Sequence, residues 1–185
     1  MMKRRLLVLA SLAASLVAGS SGAVVMVLGG GHAEDCAKAV MAGKSDPDSE
    51  ALCTSALETE TLLNDDRAGT FVNRGIMRMR RFQYDGARAD FDAGVALAPK
   101  TGEAWVNRGA LFVGMKQYRA ALSDLNKGLA LGVSEPEKVY FDRALAYEGL
   151  DDETSAYMDY QQALLLKPGW ALPEHELLRF TVTRR

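Results

Sequence analysis

Laid over one another without a gap, residues 68–101 and 102–135 agree at 11 of 34 positions, where average composition gives roughly two by chance. The agreements cluster. Val72, Asn73, Arg74 and Gly75 meet Val106, Asn107, Arg108 and Gly109. Gln83, Tyr84, Ala87 and Asp90 meet Gln117, Tyr118, Ala121 and Asp124. Gly94, Ala96 and Leu97 meet Gly128, Ala130 and Leu131. A third, weaker copy follows after one further residue and sets Tyr140 against Trp105, Arg143 against Arg108, Ala144 against Gly109, Ala156 against Ala121, Asp159 against Asp124 and Pro168 against Pro99. A unit this small cannot bury its apolar surface alone, so the copies must stack.

Each copy carries two apolar stripes of helical spacing. In the first, Phe71, Gly75 and Arg78 share one face. After a turn near Arg81, Tyr84, Ala87, Phe91 and Val95 recur at three- and four-residue steps. Two helices of about 14 residues with short turns use up the period, so each copy is expected to be an antiparallel helix pair. No stretch alternates in a way that requires a strand.

An aromatic residue, then Gly or Ala, Tyr, Ala, an aromatic or Leu, and Pro at this period resemble the tetratricopeptide repeat, here an exported bacterial type with an N-terminal cysteine pair. The resemblance covers residues 68–170. It implies an all-α, right-handed solenoid: repeats at 68–101, 102–135 and 137–170, a divergent N-terminal pair within 34–67, and a capping helix and tail in 171–185. The sequence departs from the pattern at Ala144, at Val133 in place of the first copy's Pro99, and at Gly94 and Gly128, where Ala is usual. Small residues at Gly75, Gly109 and Ala144, with Ala87, Ala121 and Ala156, are expected where the paired helices approach most closely.

Before the repeats, Lys3, Arg4 and Arg5 precede an apolar run from Leu6 to Leu28 and a small-residue stretch ending at Ala33. This reads as a secretory signal over residues 1–33, cut after Ala33 and giving a periplasmic or secreted protein. The alternative is an inner-membrane anchor over residues 6–28. Without residues 1–33 the chain has 19 Lys+Arg against 24 Asp+Glu. An acidic chain with no cation cluster is a poor match for nucleic acid. Cys36 and Cys53 are the only cysteines. In an exported chain an even pair is expected to form a disulfide. The bridge would staple a short pair, 34–42 and 47–58, contributing about 3 kcal/mol on a loop-entropy basis.

Arg74, Arg108 and Arg143 share one slot, and Asp90, Asp124 and Asp159 another. Their facing positions suggest a structural Arg–Asp ion pair in each copy. One step before the arginines stand Asn73, Asn107 and Asp142; the resemblance implies that such an Asn hydrogen-bonds the backbone of a bound peptide. A second apolar stripe lies about 100° from the first. It comprises Val72, Ile76 and Met79, then Val106, Ala110 and Val113, then Phe141 and Leu145. By the same resemblance these residues line a concave peptide-binding groove edged by Asn73, Asn107, Asp142 and Lys138. Lys138 and Arg80 are too few to make a carboxylate clamp.

Catalytic and metal fragments fail on spacing. Gly43-Lys44-Ser45 lacks the earlier Gly of a phosphate loop. His175-Glu176 would need a second His where Arg179 stands. Asp46, Asp48 and Glu50 run into Ala51, where a calcium loop needs Gly. No enzyme, cofactor or metal site is expected. The sequence is read as a monomeric, non-catalytic interaction module of the cell envelope that binds a protein or peptide in its groove. Membrane contact would come only through an uncleaved N-terminus. The competing reading is a structural or docking subunit of an envelope complex.

Overall fold

The computed structural model describes residues 6–8, 24–25 and 31–182. Nine helices run in sequence among them: α1 (His32–Met41), α2 (Pro47–Thr59), α3 (Asn64–Arg80), α4 (Tyr84–Leu97), α5 (Gly102–Gly114), α6 (Tyr118–Leu131), α7 (Pro136–Glu148), α8 (Glu153–Leu166) and α9 (Ala171–Leu177). Neighbours pair as α1 with α2, α3 with α4, α5 with α6, and α7 with α8. Each second helix then packs on the next first helix, and α1, α3, α5 and α7 touch in succession as an inner layer. The result is an all-α helical repeat solenoid closed at one end by α9.

Local chemistry sets the helix ends. Asp46 caps α2 by accepting from Ser49 N–H at 3.0 Å, with Pro47 in the first turn, and Asp152 caps α8 by accepting from Ser155 N–H at 3.1 Å. The turn inside each copy uses one left-handed residue at the equivalent place: Phe82, Lys116 and Asp151, with φ near 60°. The following N–H groups, of Gln83, Gln117 and Asp152, reach back to the carbonyls of Arg78, Phe112 and Tyr147. This closes the last turn of the first helix. Gly43 (φ 75°) does the same after α1, with Lys44 N–H on Ala39 O, so Gly43-Lys44-Ser45 is a helix stop.

The paired helices interlock through glycines. A Cβ on Gly75 would stand 2.6 Å from the Phe91 ring, and one on Gly109 would stand 2.8 Å from Leu125 Cγ. In return, one on Gly94 would meet Val72 at 2.8 Å, and Gly128 sits against Val106. Each helix thus sets a large side chain into the other's notch. The side chains that fill the notches of Gly75 and Gly109 are therefore Phe91 and Leu125, with Ala87 and Ala121 fully buried on the same partner helices. The third copy places the fully buried Ala144 and Ala163 in the two small slots, with Tyr160 and Phe141 as the large residues nearby.

Several boundaries differ from expectation. Residue 33 is no boundary in the fold: α1 starts at His32, Ala33 is buried against Ala56, and the Glu60 carboxylate accepts from the N–H groups of both His32 and Ala33. The first repeat helix starts at Asn64, four residues ahead of the repeat. The C-terminal helix stops at Leu177. Beyond it Phe180–Val182 (β2) pairs antiparallel with Leu6–Val8 (β1), so the chain does contain a three-residue ribbon. No helix among the described residues is long and apolar enough to cross a membrane. Most of residues 6–28 lies outside the described residues.

Cys36 and Cys53 are bridged across α1 and α2, with Cα atoms 4.9 Å apart. Both are fully buried, and Cys53 also lies 3.9 Å from Met77 Sδ of α3, so the staple sits in the seam with the first repeat. Intact mass of protein isolated without reductant is expected to rise by about two hydrogens on reduction. Labelling of both thiols in native material would contradict the bridge.

Candidate functional site

Asn73, Asn107 and Asp142 stand in one slot of the three inner helices α3, α5 and α7, and are closed from solvent at 0, 1 and 8% exposure. A buried amide without a partner costs 1–3 kcal/mol or so, and Asn73 finds its partner far away in sequence. Its Nδ2 donates to the carbonyl of Val25 at 2.9 Å, while its Oδ1 accepts from Val25 N–H at 3.2 Å. Both backbone groups of one residue are satisfied by one side chain, as a neighbouring β-strand would satisfy them. Val24 and Val25 pack on the core cluster that contains Val72, Ile76, Met79 and Ala104. Val25 also walls a cavity of about 230 Å³, lined by Ala68, Gly69 and Ala104 among apolar residues and by Asp65 and Asp66.

Asn107 donates from Nδ2 to the carbonyl of Glu103 at 2.8 Å, one turn back on its own helix. Asp142 is the ionisable member of the row. Burial pushes its carboxyl up to about 7, with nearby Lys138 pulling the other way. Lys138 itself pairs with Glu135 at 2.5 Å. Arg80 donates to the carbonyls of Val40 and Lys44 at 3.2 and 3.4 Å, tying α3 to the end of α1. Neither cation is arranged to grip a carboxylate ligand.

Three residues assigned to the groove pack against other elements, Val72 while also lining the Val25 cavity. Val72 and Val106 point at Gly94 and Gly128 of their own partner helices. Phe141 packs between Tyr160 and Trp170, with ring centroids 5.6 and 5.1 Å away. The reason is geometric: the partner helix reaches the position after the aromatic, where Gly94 and Gly128 leave room for Val72 and Val106. The signal was present in Gly94 and Gly128, since a missing methyl calls for a larger neighbour. Ile76 and Met79 are sealed in the first core cluster, Ala110 and Val113 are buried in the middle copy, and Leu145 lies partly buried between the second and third clusters.

The structure brings the Arg and Asp slots together in every copy. Arg74 donates to both Asp90 oxygens at 2.8 and 3.0 Å, Arg108 to both of Asp124 at 2.6 and 3.1 Å, and Arg143 to both of Asp159 at 2.7 and 2.8 Å. The remaining nitrogen of each guanidinium crosses to the preceding copy's second helix: Arg74 to Thr54, Arg108 to Asp92 and Arg143 to Asn126. Each plane also lies over the aromatic three residues earlier, at 5.6 Å for Phe71 and 5.0 Å for Trp105 and Tyr140. Arg, Asp and the aromatic therefore form one unit that fixes the register within a pair and between pairs. The bidentate forks leave these arginines committed to the fold. A double-mutant cycle of Arg108→Ala and Asp124→Ala is expected to show about 0.5–3 kcal/mol of coupling; additive losses would mean that the two charges act independently.

Residues 137–169 match the family model of the tetratricopeptide repeat. No curated protein matches the chain in sequence. Among solved structures, the tetratricopeptide domain of Arabidopsis OM64 superposes with a TM-score of 0.60 at 22% identity, covering 63% of this chain and 95% of that one. MamA superposes at 0.62 with 18% identity, covering 77% and 80% respectively. The first such domain of Spaghetti (RPAP3), solved bound to the HSP90 peptide SRMEEVD, superposes at 0.58 with 25% identity over 62% of this chain and 90% of that one.

Proposed function

We propose that this tetratricopeptide-repeat solenoid is a non-catalytic reader of protein segments, exported to the cell envelope, which holds an extended apolar peptide along its inner helices. The observation that carries the reading is the two-way hydrogen bond between the buried Asn73 amide and a single extended residue, Val25, lying against apolar side chains. Recognition of this kind takes affinity from the backbone and selectivity from the adjoining pockets. The RPAP3 domain shows that a similar solenoid takes a peptide. The acidic tail of that peptide is a poor match here, because Arg80 and Lys138 are already engaged. Export is supported by the basic start and apolar run of residues 3–28, and by the Cys36–Cys53 bridge, which suits an oxidising compartment.

Binding to a partner recovered from envelope extract is expected to change little between about 50 and 500 mM NaCl and to be lost in Asn73→Ala with helicity intact. Substitutions at Ile76 or Phe141 are unsuitable, since both are sealed in the core. Steep weakening in salt, or full binding by Asn73→Ala, would contradict the reading.

A docking-subunit role has one observation in its favour. Met158 and Leu165, seven residues apart on α8, are 63 and 72% exposed. A monomer by light scattering favours the groove reader, and a defined oligomer that Leu165→Lys dissociates favours docking.

A further inference from the structure

The residue that Asn73 holds belongs to the same chain. Val25 lies 48 positions upstream, and only five residues separate it from Gly31, the cap of α1. A tether that short gives a segment an effective concentration on the order of millimolar at its site. Val24 and Val25 present two β-branched apolar side chains to the first core cluster, and the hydrogen bonds between Val25 and Asn73 use the Val25 N–H and carbonyl. Nothing in that contact depends on the segment's being part of this chain. Any extended apolar segment with a free N–H at that position meets the same chemistry.

We propose that Val24–Val25 is a built-in competitor: it occupies the site at Asn73 in the intact chain, and an outside segment binds only when it is withdrawn. The proposal rests on the groove-reading function and goes beyond it in two respects. The ligand is a chemical copy of Val24–Val25, extended, apolar and β-branched, with any residue but proline at the Asn73 position. Access is controlled by the chain's own N-terminal segment, so any process that severs or pulls away residues before Gly31 opens the groove.

The test uses the full chain throughout. In unaltered protein the Val25 amide is expected to be protected from hydrogen exchange, and Asn73→Ala should speed its exchange at least about tenfold. A fluorescent peptide of residues 22–28 with two added C-terminal lysines is the probe. The chain carrying Val24→Asp and Val25→Asp, which expels the segment without touching a helix, should bind the probe at least about tenfold tighter than unaltered protein. Adding Asn73→Ala, or placing proline at the second valine of the probe, should remove that binding. Free exchange of Val25 in unaltered protein would overturn the proposal. Equal probe binding by both chains, still lost with Asn73→Ala, would overturn the competition and leave the groove reader standing. Protection of Val25 with no probe binding to the Val24→Asp, Val25→Asp chain would overturn both, leaving the contact a structural strap.

Discussion

Gly109→Leu is expected to lower the stability of the solenoid by about 2 kcal/mol or more, seen as a fall in the urea midpoint and loss of the single cooperative transition. The first added carbon would lie 2.8 and 2.9 Å from Leu125 Cγ and Cδ2 and 3.3 Å from the Leu125 backbone nitrogen. Leu125 has no room to retreat, because it is itself fully buried. The pair must part, and the middle copy carries the contacts to both neighbours. Gly114, on the same helix, is the control: the nearest atom to its absent Cβ is the Tyr84 hydroxyl at 3.9 Å. Gly114→Ala should be neutral or gain up to about 1 kcal/mol. Equal behaviour of the two variants would mean that α5 and α6 do not meet through Gly109.

Asp142→Asn should stabilise the protein in a strongly pH-dependent way. The carboxyl is held at about 7 by burial, against an ordinary value of 3.8. As pH rises from about 4, the unfolded chain gives up this proton while the folded chain keeps it, so the native state loses stability until the folded group ionises near 7. Above that the deficit is constant. At about 1.4 kcal/mol for each unit, three units correspond to about 4 kcal/mol. The variant should therefore gain nothing at pH 4 and about 4 kcal/mol at pH 8, measured by urea unfolding against the unaltered chain. Comparison at the same pH cancels the contribution of the three Arg–Asp units. A gain that is the same at both pH values would show that Asp142 titrates as it does in the unfolded chain.

The period of the repeat made the helix pairs legible, and the Arg and Asp slots recur so regularly that their meeting could be read from spacing. What each arginine does with its last nitrogen could not. Thr54, Asp92 and Asn126 belong to the previous copy and differ in type, so no recurring letter marks them. The left-handed turn residues were hidden for a related reason: Phe82, Lys116 and Asp151 are not the glycines that usually announce such a bend. Helical spacing gives the angle of a side chain but not how far a neighbour wraps around it, and Val72, Val106 and Phe141 also meet the elements packed beside their helices. The β1–β2 ribbon and the Val25–Asn73 contact join distant parts of the chain through backbone groups, which carry no side-chain signature. Both arise in the stretch whose composition had pointed to removal or membrane insertion.

The most direct test of the groove account is site-specific photo-crosslinking in the cells that make the protein, with a benzophenone side chain placed one position at a time. Leu145 and Lys138 lie on inner helix α7; Met158 and Leu165 lie exposed on α8. Intermolecular adducts from the inner positions, lost when Asn73→Ala is added, are the result expected of a solenoid that reads a segment along its inner helices. Adducts from Met158 and Leu165 alone, unaffected by Asn73→Ala, would contradict it.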